Sequence, residues 1–396
     1  MSRQAWLLVA ISGLYVGATA LSNTFVNAYL WKLERKFATL GWFNLAQSVA
    51  MGLAFVTAGY LTNRCDRVWA LRLGMLAHVA FYLTVLQLER HAPAYALPLG
   101  LLLGVGMGFF WFGYNVILFD VTDPENRDRF NGTNGLVMSA MGIVAPLVGG
   151  WLIGRETFAG YRWVFGLSLC IFALATVLSG LLRPRADADG FHLRPVWRAS
   201  WSRHTRWHAV IVAMLLEGLR EGVFAFLVGV LVVVATGSEW RLGLYATLSS
   251  LVSLASYGVV GRFVKPHRRR QAALVGSLLA TASVLPLLAE VSFATLVVLG
   301  VGTAIAYPLF IVPVTSTAFD VIGAAPHAVR DRTEYVVMRE LALNVGRVLS
   351  VAGFLLLVAW RETLTLLAAY LALTSSALVG AALWMGRSEP EWKAKE

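Results

Sequence analysis

Twelve apolar runs, separated by short charged or turn-rich joints, constrain this chain more than any other feature of its sequence. Each run is long enough to cross the roughly 30 Å hydrocarbon core of a bilayer as a helix. Inside that core every backbone group must find its hydrogen bond within the protein, so only helices and closed barrels span it. We therefore predict an all-α membrane protein with spans at about 5–30, 41–62, 69–88, 97–121, 133–154, 161–182, 209–235, 241–264, 271–289, 293–322, 334–358 and 363–386.

The composition agrees with a membrane protein and excludes several other classes. Of the 396 residues, 58% are hydrophobic and 14% are charged, against about 25% charged in an average soluble protein. Two cysteines, far apart, indicate neither a disulfide framework nor a metal site. No phosphate-binding loop, nucleophile elbow or zinc motif occurs, so we expect no enzyme, no cofactor and no bound metal.

The basic residues predict the orientation of the spans. Most of the 33 lysines and arginines fall in joints that are cytoplasmic if the N-terminus is cytoplasmic. This accounts for the net charge of +11 without a nucleic-acid partner, and it places both termini inside. The longest polar joint divides the chain into an N-terminal six-helix bundle (1–182), a cytoplasmic linker (183–206) and a C-terminal six-helix bundle with a short cytoplasmic tail (207–396).

The two halves echo each other in sequence. Phe-Asp-Val closes the fourth span around Asp120 and closes the tenth span around Asp320. An Arg-Asp-Arg triplet follows each of them at 127–129 and 330–332. We expect these two aspartates to make gate or loop contacts rather than to bind substrate, and we interpret the halves as parallel six-span repeats.

Three arginines and three glutamates lie inside the seventh and eleventh spans, where a charge is costly and is by default functional. Similar depths, estimated at 1.5 Å per residue, predict that the two groups meet near the midplane. We expect one network joining Glu217, Arg220 and Glu221 to Arg339, Glu340 and Arg347. This network either couples protons and binds substrate, or it is only a static structural bridge.

The loop after the second span carries a family signature. Gly59, Asn63, Arg64, Asp66 and Arg67 resemble the loop motif G-x-L-x-D-R-x-G-R of the major facilitator superfamily, with Asn63 and Asp66 departing from it. The resemblance implies a charged latch between neighbouring helices; the alternative is an ordinary basic cytoplasmic loop.

The fifth span is similar to the antiporter motif of drug exporters in that superfamily. The matching positions are Gly132, Ala145, Pro146, Gly149 and Gly150, with Ala145 in place of a glycine. If the similarity holds it favours export; the alternative is plain small-residue packing. The fourth span lacks the arginine of proton-coupled exporters, so any proton relay must lie elsewhere.

Polar and aromatic side chains in the first, fourth and tenth spans predict the lining of a cavity. In the superfamily these spans and the seventh surround the central path. The candidates are Tyr15, Thr19, Asn23, Asn27, Tyr114, Asn115, Tyr307 and Thr315. Aromatic residues of this kind can also face the lipid interface.

Together these similarities imply two six-helix bundles related by pseudo-two-fold symmetry, in a monomeric transporter of a bacterial inner (plasma) membrane. The expected function is proton-coupled export of a small amphipathic or organic molecule by alternating access. The expected partners are that small-molecule or lipid-like substrate, protons and the bilayer. Two alternatives remain open, a transporter of an anionic metabolite or lipid headgroup and a non-transporting membrane scaffold or sensor.

Overall fold

A computed structural model describes residues 1–61, 66–122, 124–183, 190–203, 205–325 and 330–386. Within these ranges all regular secondary structure is helical. The helices are α1 (Arg3–Glu34), α2 (Phe37–Leu61), α3 (Arg67–Leu88), α4 (Ala96–Val121), α5 (Pro124–Arg155), α6 (Thr157–Ser179), α7 (Leu193–Ser200), α8 (Arg206–Thr236), α9 (Glu239–Phe263), α10 (Arg269–Ala282), α11 (Pro286–Ala289), α12 (Phe293–Gly323), α13 (Arg332–Trp360) and α14 (Leu364–Met385).

Eleven helical stretches of the described chain are long and apolar enough to cross a membrane. One of them, Arg67–Leu118, is 52 residues long and contains the third predicted span and most of the fourth, joined by the 3₁₀ turn Glu89–Tyr95. The ninth predicted span is divided into α10 and α11, which begins at Pro286. Proline lacks a backbone N–H and cannot continue the hydrogen-bond ladder of α10. The predicted all-α membrane fold class is confirmed.

The chain forms two compact units. Unit 1 consists of Met1–Gly190 together with Val232–Thr247, and unit 2 consists of Phe191–Leu231 together with Leu248–Glu396. The segment Val232–Thr247 contains the end of α8 and the start of α9. The predicted domain limits at 182 and 207 stay a prediction.

Small residues set the closest helix crossing in unit 1. Gly100, Gly104 and Gly108 recur every four residues and so form one stripe along α4. Each lies directly against α2; a Cβ at Gly108 would come within 2.7 Å of the carbonyl oxygen of Met51. The backbones can approach this closely only because the stripe has no side chains.

The same contacts recur inside each unit. In unit 1, Arg67 at the start of α3 binds Asp120 near the end of α4, with Nη1–Oδ distances of 2.7 and 2.9 Å. In unit 2, Arg269 at the start of α10 binds Asp320 in the last turns of α12 at 2.6 Å. A glycine in α3 and one in α10, Gly74 and Gly276, also pack at equivalent places, against the backbones of α4 and α12. The two halves therefore share a structural repeat, as the echo in their sequences suggests.

Candidate functional site

Two glycines bring α8 and α13 together in unit 2. Gly218 of α8 faces Gly346 of α13, and a Cβ added to Gly218 would lie 3.0 Å from the Cα of Gly346. Gly222, one turn later, faces the backbone of Arg347 at 2.8 Å. Gly218 and Gly222 form a Gly-x3-Gly pattern, which was a sequence signal for this crossing. Side chains that flank these glycines are thus held close to the partner helix.

One ion pair joins the two helices directly. Arg347 donates through Nη2 and Nε to Oε2 of Glu221, at 2.9 and 3.3 Å. Its Nη1 donates to Oδ1 of Asn344, one turn earlier in α13, at 3.0 Å. The Arg347 side chain is 15% exposed and that of Glu221 is 35% exposed. The carboxylate of Glu221 is therefore paired with a cationic donor.

Glu217 has a different partner. Its Oε1 accepts a hydrogen bond of 2.9 Å from the hydroxyl of Tyr307 in α12, and the residue is only 5% exposed. In the part of the chain that the structure describes, no lysine or arginine forms an ion pair with it. Sequence reasoning named Glu217 and Tyr307 separately, but nothing in the sequence paired them.

The other charges of the predicted network have contacts of their own. Arg339 donates to its neighbour Glu340 at 2.6 Å, and its guanidinium lies 5.4 Å from the ring centroid of Phe319. The guanidinium of Arg220 lies over two aromatic rings, 4.3 Å from the centroid of Phe224 and 4.9 Å from that of Tyr307. The described contacts thus include an interhelical pair, a local pair and a cation–π stack, and the single network expected from the sequence stays a prediction.

The carboxyl groups of Glu217 and Glu221 have different hydrogen-bond partners. A buried carboxylate is tolerated as an anion when a cation and hydrogen bonds compensate for the lost water. Glu221 has such a cation in Arg347, whereas Glu217 has a neutral phenol. Glu217 is one helical turn from Glu221, so the two carboxyl groups lie on the same face of α8. This geometry suits a group that takes up and releases a proton.

Two of the predicted cavity residues pack in the interior of unit 1, and their role in lining a cavity stays a prediction. Tyr15 is 1% exposed, stacks on Phe110 with ring centroids 3.3 Å apart, and its hydroxyl lies 3.3 Å from Nε2 of His78. Tyr114 is 6% exposed and accepts a hydrogen bond of 2.8 Å from Asn134. A polar stripe on a helix can face a polar cavity or a hydrogen-bonded core, and here these rings fill the core.

The other predicted lining residues are half-buried. Asn23 accepts from the Tyr82 hydroxyl at 3.0 Å, and Asn27 accepts from Asn44 at 2.7 Å. Thr19 donates to carbonyls of its own helix. Asn115 and Thr315 are also partly exposed, on α4 and α12.

The loop motif is only partly described. Asn63 and Arg64 lie outside the described residues. Asp66 caps α3 by accepting from the Val68 amide at 3.1 Å, Arg67 binds Asp120 as above, and Gly59 lies in the last turn of α2.

The antiporter-like residues have unequal surroundings. A Cβ at Gly132 would meet nothing within 4 Å, whereas Gly149 packs on Phe25 of α1 and Gly150 faces Gly243 of α9 at 3.0 Å. Ala145 is buried, and Pro146 lies inside α5, which continues past it.

Sequence reasoning missed a buried charged cluster in unit 1. Lys32 of α1 binds Glu239, the first residue of α9, at 2.5 Å. The Tyr161 hydroxyl donates to the same carboxylate oxygen at 3.1 Å, and the Glu239 side chain is 7% exposed. These residues lie at the ends of apolar runs, where charges are ordinary, so only tertiary structure reveals their contact. Similarly, Asn134 links Ser12 to Tyr114 through bonds of 2.6 and 2.8 Å.

Comparison with known proteins shows similarity over almost the whole chain. The family model of the Major Facilitator Superfamily matches residues 7–328. The uncharacterized protein YqgE of Bacillus subtilis (strain 168) is 42% identical over 353 residues, covering 89% of this chain and 82% of that protein. An uncharacterized protein in the sodM 3′ region of Geobacillus stearothermophilus is 43% identical over 166 residues, which cover 42% of this chain and 78% of that protein.

A solved structure has the same fold. The crystal structure of a bacterial homologue of the iron transporter ferroportin, in an inward-facing state, matches with a TM-score of 0.70. The match covers 98% of this chain and all of the other at 15% sequence identity. At this identity the likeness supports the shared fold.

Proposed function

Because the chain belongs to the major facilitator superfamily of transporters, we propose that it is a proton-coupled secondary transporter that exports a small amphipathic or organic molecule. It acts by alternating access in the plasma membrane, with both termini in the cytoplasm. The partial antiporter motif of α5 supports the outward direction, and the basic cytoplasmic joints support the orientation.

The observation that carries the proposal is the contrast between Glu217 and Glu221. Both lie on α8 in unit 2, but Arg347 compensates the charge of Glu221, whereas Glu217 is buried against a tyrosine hydroxyl. Burying the charged carboxylate of Glu217 there costs free energy, and protonation of Glu217 removes that cost. We assign the transported proton to Glu217, with Tyr307 orienting its carboxyl group.

The substrate is best found by thermal shift. A metabolite, drug or lipid that binds the folded state stabilises it by about 2.7 kcal/mol at a concentration of 100 Kd. Hits are then added to the purified protein in weakly buffered detergent. An exporter that exchanges substrate for a proton releases protons into the medium when the substrate binds.

The deciding variant is Glu217→Gln, which keeps the shape of the side chain and cannot ionise. We expect it to bind substrate without releasing a proton, and to lose transport driven by a pH gradient in proteoliposomes. Glu290→Gln is the matched control, because Glu290 is exposed between α11 and α12 and should leave both properties unchanged. If Glu217→Gln still releases a proton and still transports substrate along a pH gradient, the assignment is refuted. If the unmodified chain and both variants fail to transport, a non-transporting scaffold is favoured.

An anionic substrate is the second candidate. Three guanidinium groups (Arg220, Arg339 and Arg347) lie on two helices of unit 2, and the Arg339 side chain is 17% exposed. A carboxylate or phosphate of a metabolite or lipid headgroup would bind them through charge-assisted hydrogen bonds. Under this alternative, hits in the thermal-shift screen carry an anion. Their binding is then lost in Arg339→Gln and kept in Glu217→Gln.

A further inference from the structure

The short helix α7 presents an unusual exposed face. It begins at Leu193 and ends at Ser200, and Trp201 continues its helical backbone. At about 100° per residue, four exposed side chains fall within one arc of about 100°. They are Arg194, Trp197, Arg198 and Trp201. Trp197 is 44% exposed and Trp201 is 67% exposed, and their rings contact each other with centroids 5.8 Å apart.

The opposite face of α7 is anchored in unit 2. Val196 is 2% exposed and belongs to the apolar core together with Trp207 of α8 and Tyr335 of α13. Ser200 accepts a hydrogen bond of 2.8 Å from the Trp207 indole. Just before α7, the amide of His192 donates to Glu334 of α13 at 2.7 Å. The exposed face is thus held in a fixed direction.

The position of α7 places this face at a membrane boundary. Only residues 201–205 separate it from α8, whose apolar run begins the next predicted span. Tryptophan favours the headgroup level of a bilayer, and arginine at that level attracts anionic lipids. Neither Arg194 nor Arg198 forms an ion pair with another described side chain, so both guanidinium groups can bind an external anion.

We propose that the face formed by Arg194, Trp197, Arg198 and Trp201 binds the headgroups of anionic phospholipids in the cytoplasmic leaflet. The two arginines bind the lipid phosphate, and the two indoles enter the headgroup region beside it. The lipid is thereby connected to the starts of α8 and α13, the helices that carry the charged cluster. This surface does not depend on which substrate the transporter carries.

The test measures lipid binding to the full chain. The purified protein in neutral detergent is titrated calorimetrically with short-chain phosphatidylglycerol, and separately with the zwitterionic phosphatidylcholine of the same length. Each arginine at the surface contributes a factor of about 5, so Arg194→Gln with Arg198→Gln should weaken phosphatidylglycerol binding about 25-fold. The lysine pair, Arg194→Lys with Arg198→Lys, should retain binding because the charge remains.

A control removes the same charge elsewhere. Arg155→Gln with Arg361→Gln neutralises two exposed arginines in the joints predicted to be outside, and it should bind phosphatidylglycerol like the unmodified chain. Equal binding of the two lipids by the unmodified chain would overturn the proposal. So would unchanged binding in the α7 glutamine pair, or an equal loss in the control.

Discussion

The crossing of α8 and α13 makes Gly346→Ala a sensitive perturbation. The added methyl group would overlap the carbonyl oxygen of Leu215 and would lie 2.9 Å from the Cα of Gly218. Ordinary contacts of a Cβ begin at 3.4 Å, and the atoms it meets are backbone, which cannot rotate away. The helices must therefore move apart.

A separation on the order of 1 Å is enough to matter for the ion pair, because a good N–H···O bond does not exceed about 3.2 Å. The Arg347 Nη2–Glu221 Oε2 distance is already 2.9 Å, so the hydrogen bond would be lost. Overpacking of a core typically costs about 1–3 kcal/mol. A hydrogen bond to a charged group contributes about 1.5–3 kcal/mol. We expect Gly346→Ala to lower the free energy of unfolding by about 1–3 kcal/mol and to transport poorly.

The assay is thermal unfolding of the purified protein in detergent, followed by transport in proteoliposomes. Gly258→Ala in α9 is the matched control, because a Cβ there meets nothing within 4 Å. Alanine is favoured over glycine in a helix by about 0.5–1 kcal/mol, so this control should be stabilised. If Gly346→Ala unfolds at or above the temperature of the unmodified chain, α8 and α13 do not cross as closely as the structure indicates.

Two further predictions concern the other ion pairs. Asp120→Asn should cost about 1.5–3 kcal/mol, because Asp120 is 20% exposed, whereas Asp320→Asn should cost about 0–1 kcal/mol, because Asp320 is 62% exposed. Both are measured as shifts in unfolding temperature. Glu239→Gln should destabilise unit 1 by leaving Lys32 in a half-buried site without its anion, and adding Lys32→Met should recover part of the loss.

Each of these predictions has a clear contrary result. Equal shifts for the two aspartate variants would mean that the repeated ion pairs contribute alike despite their different exposure. A double variant that is no more stable than Glu239→Gln alone would show that the charge of Lys32 is satisfied elsewhere.

The fold class followed from the sequence because hydrophobic length is a local property. Twelve runs of sufficient length leave few architectures, and the loop after α2 carries the motif by which the family was recognised. The repeat was also visible, since Asp120 and Asp320 occupy matching places in sequence and in structure.

Side-chain partners were harder to predict. Depth matching brought Glu221 and Arg347 together because both lie on spans that run in the same direction. It could not assign Tyr307 to Glu217, since α12 runs the other way and its rotation about its own axis is set by packing. For the same reason the stripe containing Tyr15 did not reveal whether it faced a cavity or an aromatic core. A helical period fixes which residues share a face, but not what that face meets.

The contact between Lys32 and Glu239 has a consequence for how the protein is made. The two residues are 207 positions apart in the chain, yet both belong to unit 1. At about 5–20 residues per second, a ribosome needs roughly 10–40 s to reach Glu239 after it has passed Lys32. Tyr161 of α6 is made within that interval, so Lys32 and Tyr161 are both in the chain before the carboxylate that joins them. Completion of unit 1 thus waits for the start of α9, which is made only after the linker that follows α6.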